Sequence, residues 1–145
     1  TEQPKGITYS VADLSSPDPL PDLLQPVDTV VAQYLLPYAS TRVELRKMCE
    51  SAAYALSSGG KFVSIVSFMN DDIKATSGGM IKSVPLGWSI TWDGAPKDGM
   101  STEFTLFDNS IDEAKKRVSL PNTLWSKKSI EDALIESGFE SVKWV

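Results

Sequence analysis

The sequence predicts an α/β fold: half of an open parallel sheet, followed by an antiparallel C-terminal part. Three observations carry this expectation. Asp28 to Gln33 (DTVVAQ) is a continuous apolar run of the kind that forms an interior parallel strand covered on both faces. An amphipathic stretch follows it, stops at Gly59-Gly60 and leads directly into a second apolar run, Lys61 to Phe68 (KFVSIVSF). From Trp88 onward, short alternating segments are separated by Asp93-Gly94 and Asp98-Gly99, the punctuation of antiparallel strands.

Taken in order, Gly6 to Leu14 (GITYSVADL) alternates and is rich in β-branched residues, which predicts a strand ending near Asp13. Ser15 to Pro26 carries four prolines and two aspartates and reads as a loop, with Leu20, Leu23 and Leu24 expected to pin it to the core. After the Asp28 strand, Ser40 or Thr41 is the expected N-cap of a helix, with Glu44 completing a capping box. Leu45, Met48, Cys49, Ala52, Ala53 and Leu56 recur at helical spacing, and Gly59-Gly60 is the expected C-cap. Strand, helix and strand in this order predict a right-handed βαβ unit. Gln33, Tyr34 and the residues after them then lie at the carboxyl end of a strand, where open α/β sheets bind ligands.

Asn70 to Pro85 is polar and Gly-rich and reads as a lid or loop. Trp88–Trp92, Ser101–Phe107 and Lys116–Leu120 read as antiparallel strands. Ser126 to Ser137 predicts a helix capped by Ser126 or Ser129 and closed by Gly138, with Phe139 packing behind it and Glu140 to Val145 as a final strand. The chain contains no internal repeat and no low-complexity tract.

Composition narrows the function classes. With 145 residues, 41% hydrophobic and 23% charged, the chain can bury the core of one domain. A formal charge of -5 opposes binding to nucleic acid or an anionic membrane, because both need a concentrated basic field. Lys115-Lys116-Arg117 and Lys127-Lys128 are short runs flanked by acids and read as solvated faces. With no histidine, imidazole acid–base catalysis, Ser-His or Cys-His nucleophile pairs and the usual zinc sites are excluded. Cys49 is the single cysteine, so no intrachain disulfide can form; its helical context suggests core packing. Asp71-Asp72 could hold a hard cation, but adjacent aspartates on a Gly-rich loop read first as solvated, and no metal is expected. No apolar run approaches the roughly 20 residues that span a bilayer. A cytoplasmic location is expected, with secretion left open. Because the first residue is Thr, a processed, tag-cleaved or truncated product is expected.

Four segments in order resemble class I S-adenosylmethionine-dependent methyltransferases of the small-molecule type. VADL (Val11 to Leu14) resembles the end of that fold's third strand. VDTVVAQYLLPYAS (Val27 to Ser40) resembles its fourth strand and following turn, and ALSSGGKFVSI (Ala55 to Ile65) the glycine-marked entry to its fifth. SIEDALIESGFESVKWV (Ser129 to Val145) resembles its closing helix, Gly-Phe pair and terminal strand. The resemblance implies a truncated Rossmann-like methyltransferase sheet with an antiparallel C-terminal part, residues 1–145 forming one domain that lacks the first two βα units. Those two units would need about 60 residues at roughly 30 each.

The resemblance also implies S-adenosylmethionine as cofactor if the site is completed, contacted by Asp13, Leu14, Gln33 and Tyr34, and a small-molecule methyl acceptor contacted by Tyr38, Trp88 and Trp92. No catalytic residue is implied. The family's glycine-rich loop and ribose-binding acid are absent, and Pro37 stands where many relatives have His, so proton transfer at that position is lost. Other readings stand beside these: Asp13 as a turn-forming residue, Tyr34 and Tyr38 as aromatics closing a strand end, Gln33 as a turn cap, and Trp88 with Trp92, which share one strand face, as core. A sheet missing two strands exposes an edge, which makes a homodimer the expected assembly.

The functions in competition are a methyltransferase portion that is inactive by itself, a degenerate non-catalytic relative serving as a binding or protein-interaction module, and an unrelated α+β binding protein. The last would be favoured by antiparallel pairing of the Ile7 and Thr29 segments.

Overall fold

The computed structural model describes residues 6–16, 26–69, 79–83, 85–107 and 117–145. Among them, the parallel part consists of β1 (Val27–Gln33), a short 3-10 turn (Leu36–Tyr38), α1 (Arg42–Ala55) and β2 (Leu56–Ile65). The antiparallel part consists of β3 (Gly79–Ser83), β4 (Trp88–Trp92), β5 (Met100–Phe107) and β6 (Arg117–Leu124), followed by α2 (Lys127–Glu136). β1 pairs with β2 in parallel, and β3-β4-β5-β6 form an antiparallel meander in that order.

Local chemistry explains the expected elements that form. Thr41 caps α1 by accepting the Glu44 N–H through its hydroxyl at 3.2 Å. The Glu44 carboxylate reaches back one residue further than expected and accepts from both the Ser40 N–H and the Ser40 hydroxyl at 2.7 Å. Ser126 caps α2 by accepting the Ser129 N–H at 3.1 Å, and Gly138 closes it at φ +99°. Cys49 lies in the core with no exposure, and burial pushes its thiol up to about 12.

Five expectations are corrected. The α1 helix ends at Ala55 rather than Gly59, because Leu56 turns extended and pairs with Val27. Ser57 then donates its hydroxyl to the Asp28 carboxylate at 2.9 Å, and the register jumps from Leu56 to Lys61 across a bulge. Gly60 makes that bulge feasible, since a Cβ there would stand 2.9 Å from both the Leu56 side chain and the Ser57 carbonyl.

Residues 7–13 are irregular and exposed rather than a strand, and the chain stops in a turn where the Asp13 carboxylate accepts from the Ser15 N–H at 2.9 Å and its hydroxyl at 2.7 Å. The antiparallel Ile7–Thr29 pairing that would have favoured an unrelated α+β protein therefore does not occur. Residues 140–145 likewise form no strand. Their side chains dock on α2 instead: the Trp144 indole donates to Glu131 at 2.6 Å, and the Lys127 ammonium lies 4.6 Å from the Phe68 ring and 4.9 Å from the Trp144 ring.

Fourth, β1 is covered on one face only. Val30, Ala32, Phe62 and Ser64 face inward, whereas Thr29, Val31, Gln33, Lys61, Val63 and Ile65 form an open face on which Val31 is 72% exposed. An apolar run permits burial on both sides, but the helices of the described residues pack on one. Within the 70–85 segment, read as a lid or loop, Gly79–Ser83 form β3 instead, while Leu20, Leu23, Leu24, Asp71, Asp72, Ser77 and Gly78 lie outside the described residues.

The two parts meet at the β6–α2 corner. Trp125 is buried there; its indole donates to the Ala39 carbonyl at 3.2 Å and its own carbonyl accepts the Met69 N–H at 2.9 Å. Asp98 accepts from the Ser126 N–H at 2.6 Å and from the Ser129 hydroxyl. Burial pushes the Asp98 carboxyl up, but hydrogen bonds from Ser129 and Ser126 outweigh it and hold it below the ordinary carboxylate value.

A folded pKa below the unfolded one contributes stability that is complete above the unfolded value, about 3.9, and is lost as pH falls through the folded value. Asp98→Asn is therefore expected to lower the urea midpoint at pH 7, with the gap from wild type shrinking toward pH 3. Equal gaps at both pH values would show that Asp98 carries no such linkage.

Candidate functional site

The site begins where β1 ends. Tyr34 adopts φ +53°, the one positive φ among the described non-glycine residues, and its N–H donates to the Ile65 carbonyl at 2.7 Å. A bulky side chain in this left-handed region is strained by about 1–2 kcal/mol and persists where the surroundings impose it. The reversal turns the chain into Leu36–Tyr38, whose Leu36 and Pro37 are buried, and then to Ala39, which Trp125 clamps.

Opposite this turn stands one face of the antiparallel sheet. The registers Trp88↔Leu106, Ile90↔Phe104, Thr102↔Asn122 and Phe104↔Leu120 put these side chains on a common side. Between turn and sheet lies a cavity of about 280 Å³, walled by Tyr34, Pro37, Tyr38 and Ser67 on one side and by Trp88, Ile90, Thr102, Phe104, Leu106, Leu120, Asn122, Thr123 and Leu124 on the other. Among the described residues, its walls carry no Asp, Glu, Lys or Arg side chain. Trp88 and Phe104 stack with ring centres 6.2 Å apart and planes inclined by 27°.

The sequence-derived residues fall into separate places. Tyr34, Tyr38 and Trp88 share the cavity. Trp92 lies on the same sheet face but is buried with Met69, Met100 and Leu124, its indole nitrogen without a hydrogen-bond partner. Gln33 sits on the open face, paired in register with Ile65. Asp13 and Leu14 are held along α1: the Ser51 hydroxyl donates to the Leu14 carbonyl at 3.0 Å, and Leu14 packs on the main core. Hydrogen bonds from Ser15 hold the Asp13 carboxyl below its ordinary value, helped slightly by Lys47.

Asn122, Thr102 and Phe104 are wall residues that sequence reasoning did not single out. The expected strand stopped at Leu120 because Pro121 follows, whereas β6 runs on to Leu124. β6 is an edge strand of its sheet, where proline's missing donor is tolerated. The alternation of β5 would have placed Thr102 and Phe104 beside Trp88 once the register was known.

Among the described residues no group of three or more Cys, Asp or Glu side chains is placed to hold a metal ion. Among the described residues, the groups whose acidity is displaced, Asp13, Glu44, Cys49, Asp98 and Lys128, all lie outside the cavity wall. What the arrangement supplies is an apolar, aromatic slot at the carboxyl end of a parallel strand, with a few neutral hydrogen-bonding groups.

No protein-family model and no curated protein matches the sequence. Solved structures do match the fold. An S-adenosylmethionine-dependent methyltransferase from Clostridium acetobutylicum is 15% identical and aligns over 88% of this chain and 52% of its own, with a TM-score of 0.56. The sugar N-methyltransferase KedS8 from Streptoalloteichus is 17% identical over 88% of this chain and 52% of its own, with a TM-score of 0.54. The glycopeptide N-methyltransferase MtfA, solved with S-adenosylmethionine bound, is 19% identical over 91% of this chain and 50% of its own, with a TM-score of 0.51. The chain thus has a methyltransferase-type α/β fold and spans about half the length of the solved structures it matches.

Replacing Tyr34 by Gly removes the left-handed strain at the cavity mouth. Urea unfolding of the variant is expected to show stability unchanged or raised by up to about 1 kcal/mol. A loss of more than that would mean that the tyrosine ring is held by packing strong enough to outweigh its backbone.

Proposed function

We propose that this chain is an S-adenosylmethionine-dependent methyltransferase-like protein that supplies the acceptor side of the site and part of the cofactor side, and is not catalytically competent by itself. The observation that carries the reading is the cavity at the carboxyl end of β1, the location at which open α/β sheets bind ligands, within a fold shared with methyltransferases. Residues 1–145 act as one domain without the first two βα units. Asp13, Leu14, Gln33 and Tyr34 serve the cofactor; Tyr38, Trp88 and Trp92 serve a small-molecule acceptor; no nucleic acid, membrane or metal takes part, and the protein works in the cytoplasm.

Asp13 and Leu14 along α1 and Gln33 on the open face do not share the cavity with Tyr34. That separation supports an incomplete cofactor site. Methyl transfer demands chiefly proximity and alignment of donor and acceptor, so a lack of histidine does not oppose the reading.

The test is calorimetry with S-adenosylmethionine and its demethylated product. The expected result is no saturable binding at micromolar concentrations by the 145-residue chain. Micromolar binding would overturn the incompetent-alone reading and favour a cofactor site complete within this sequence.

One observation favours the alternative of a non-catalytic interaction module: Val31, Val63 and Ile65 are more than half exposed beside an outer edge of β1 that no described strand pairs. We propose that a second copy of the chain covers this surface. Sedimentation is expected to find a dimer that Val31→Lys converts to a folded monomer; a wild-type monomer at all concentrations would remove the dimer from the reading.

A further inference from the structure

We infer that the cavity selects an uncharged, planar ring system of about two fused rings that carries a hydrogen-bond acceptor on its edge, seated on Trp88 and held in register by Asn122. The inference rests on the reading of this cavity as the acceptor site and adds the chemical class of what enters it.

Three observations converge. First, among the described residues the walls hold no ionic side chain, so an ion leaving water against them would find no counter-charge, whereas a neutral ring loses nothing comparable. A volume of 280 Å³ lies just below the range of about 300–1,000 Å³ that small-molecule sites occupy, which suits a bicyclic ligand better than a large conjugate.

Second, the Trp88 and Phe104 ring planes are near parallel, inclined by 27° with centres 6.2 Å apart. Rings so arranged form a strip on which another flat ring continues the stack at an offset. Caging a quaternary ammonium would need faces converging on one centre.

Third, Asn122 has its donor and acceptor already sorted. Its side-chain oxygen accepts the Thr123 N–H at 3.0 Å, which leaves the amide NH₂ as the group available to a ligand. Asn122 stands across the ladder from Thr102, which is buried, on the same face as the Trp88–Phe104 stack. A ligand lacking an acceptor there would leave the amide unpaired against an apolar wall, which is how a polar group in such a site discriminates.

The test uses the chain as it stands and no cofactor. Binding of methoxynaphthalene, naphthalene, naphthoate and naphthylmethylammonium is followed by ¹H–¹⁵N NMR of the Trp88 indole and Asn122 side-chain amide. Methoxynaphthalene is expected to shift both signals and to bind at least tenfold tighter than either charged isostere. Asn122→Leu is expected to remove most of its advantage over naphthalene while leaving naphthalene binding within about twofold.

Equal or tighter binding of a charged probe, or no shift at either residue with any probe, would overturn the inference. So would an equal loss of methoxynaphthalene and naphthalene in Asn122→Leu. The comparison of neutral and charged probes on the wild-type chain needs no variant, so a misfolded Asn122→Leu leaves it decisive. Failure here is separable from failure of the methyltransferase reading, which the calorimetry with S-adenosylmethionine addresses alone.

Discussion

The buried hydrogen bond from the Trp125 indole to the Ala39 carbonyl, 3.2 Å long, joins the parallel and antiparallel parts at their corner. A two-stranded parallel sheet is marginal by itself in water. Here it is anchored through the turn that follows β1 to the residue that ends β6. The same tryptophan presents its carbonyl to Met69, just past β2, and its ring to Gly99, where a Cβ would come within 2.8 Å. Gly99 at φ +72° is thus fixed by both conformation and space. Asp98, one residue earlier, ties the same corner to the start of α2. The cavity has one wall on each side of this corner, so its width is set by a junction that contributes no lining residue.

From that junction the layering follows. Arg42 at the start of α1 donates to the Ser129 carbonyl and to Glu136 at 3.2 Å, so α1 and α2 lie side by side over one face of β1 and β2. Leu36, Leu45, Met48, Cys49, Ile130 and Leu134 fill the space between helices and sheet. The opposite face keeps Val31, Val63 and Ile65 in solvent. Burying such side chains is worth about 1.5–3 kcal/mol each, so covering this face would contribute a meaningful fraction of a domain's net stability of about 5–15 kcal/mol. This exposed apolar face is separate from the cavity.

Much of the architecture was legible because local signals and tertiary demands agree. Thr41 with Glu44, and Ser126 with Gly138, mark helix ends by satisfying orphan backbone groups, which needs no long-range partner. The alternation around Trp88 and Phe104 likewise encodes a sheet face. Legibility failed where a long-range partner decides. Nothing local to Ile7–Asp13 reveals whether a neighbouring strand exists to pair with it, and without one the Asp13 carboxylate closes a turn on Ser15. Trp144 prefers a bond to Glu131 over a place in a ladder, a choice visible only once α2 is positioned. At Leu56, a hydrophobic residue at helical spacing was claimed instead by Val27 across the sheet. Of the candidate site, the Tyr34, Tyr38 and Trp88 contributions followed from strand ends and alternation. Asn122 did not, because its exposure to the cavity depends on β6 passing through Pro121.

The chemistry of the cavity wall constrains mechanism more than the fold does. A transferase acting on a protonated or weakly acidic nucleophile needs a base within hydrogen-bond reach, with an acidity tuned by burial or neighbouring charge. Among the described residues the groups with displaced acidity are elsewhere: Cys49 on the buried side of α1, Asp98 at the corner, Glu44 at a helix cap. What lies at the end of β1 is a strained tyrosine, a stacked aromatic pair and a side-chain amide with a free donor. Among the described residues of this wall, Tyr34 and Tyr38 bring side chains of the kind that can exchange a proton, beside neutral aromatic and amide groups. A group transfer routed through this wall would draw chiefly on alignment of donor and acceptor.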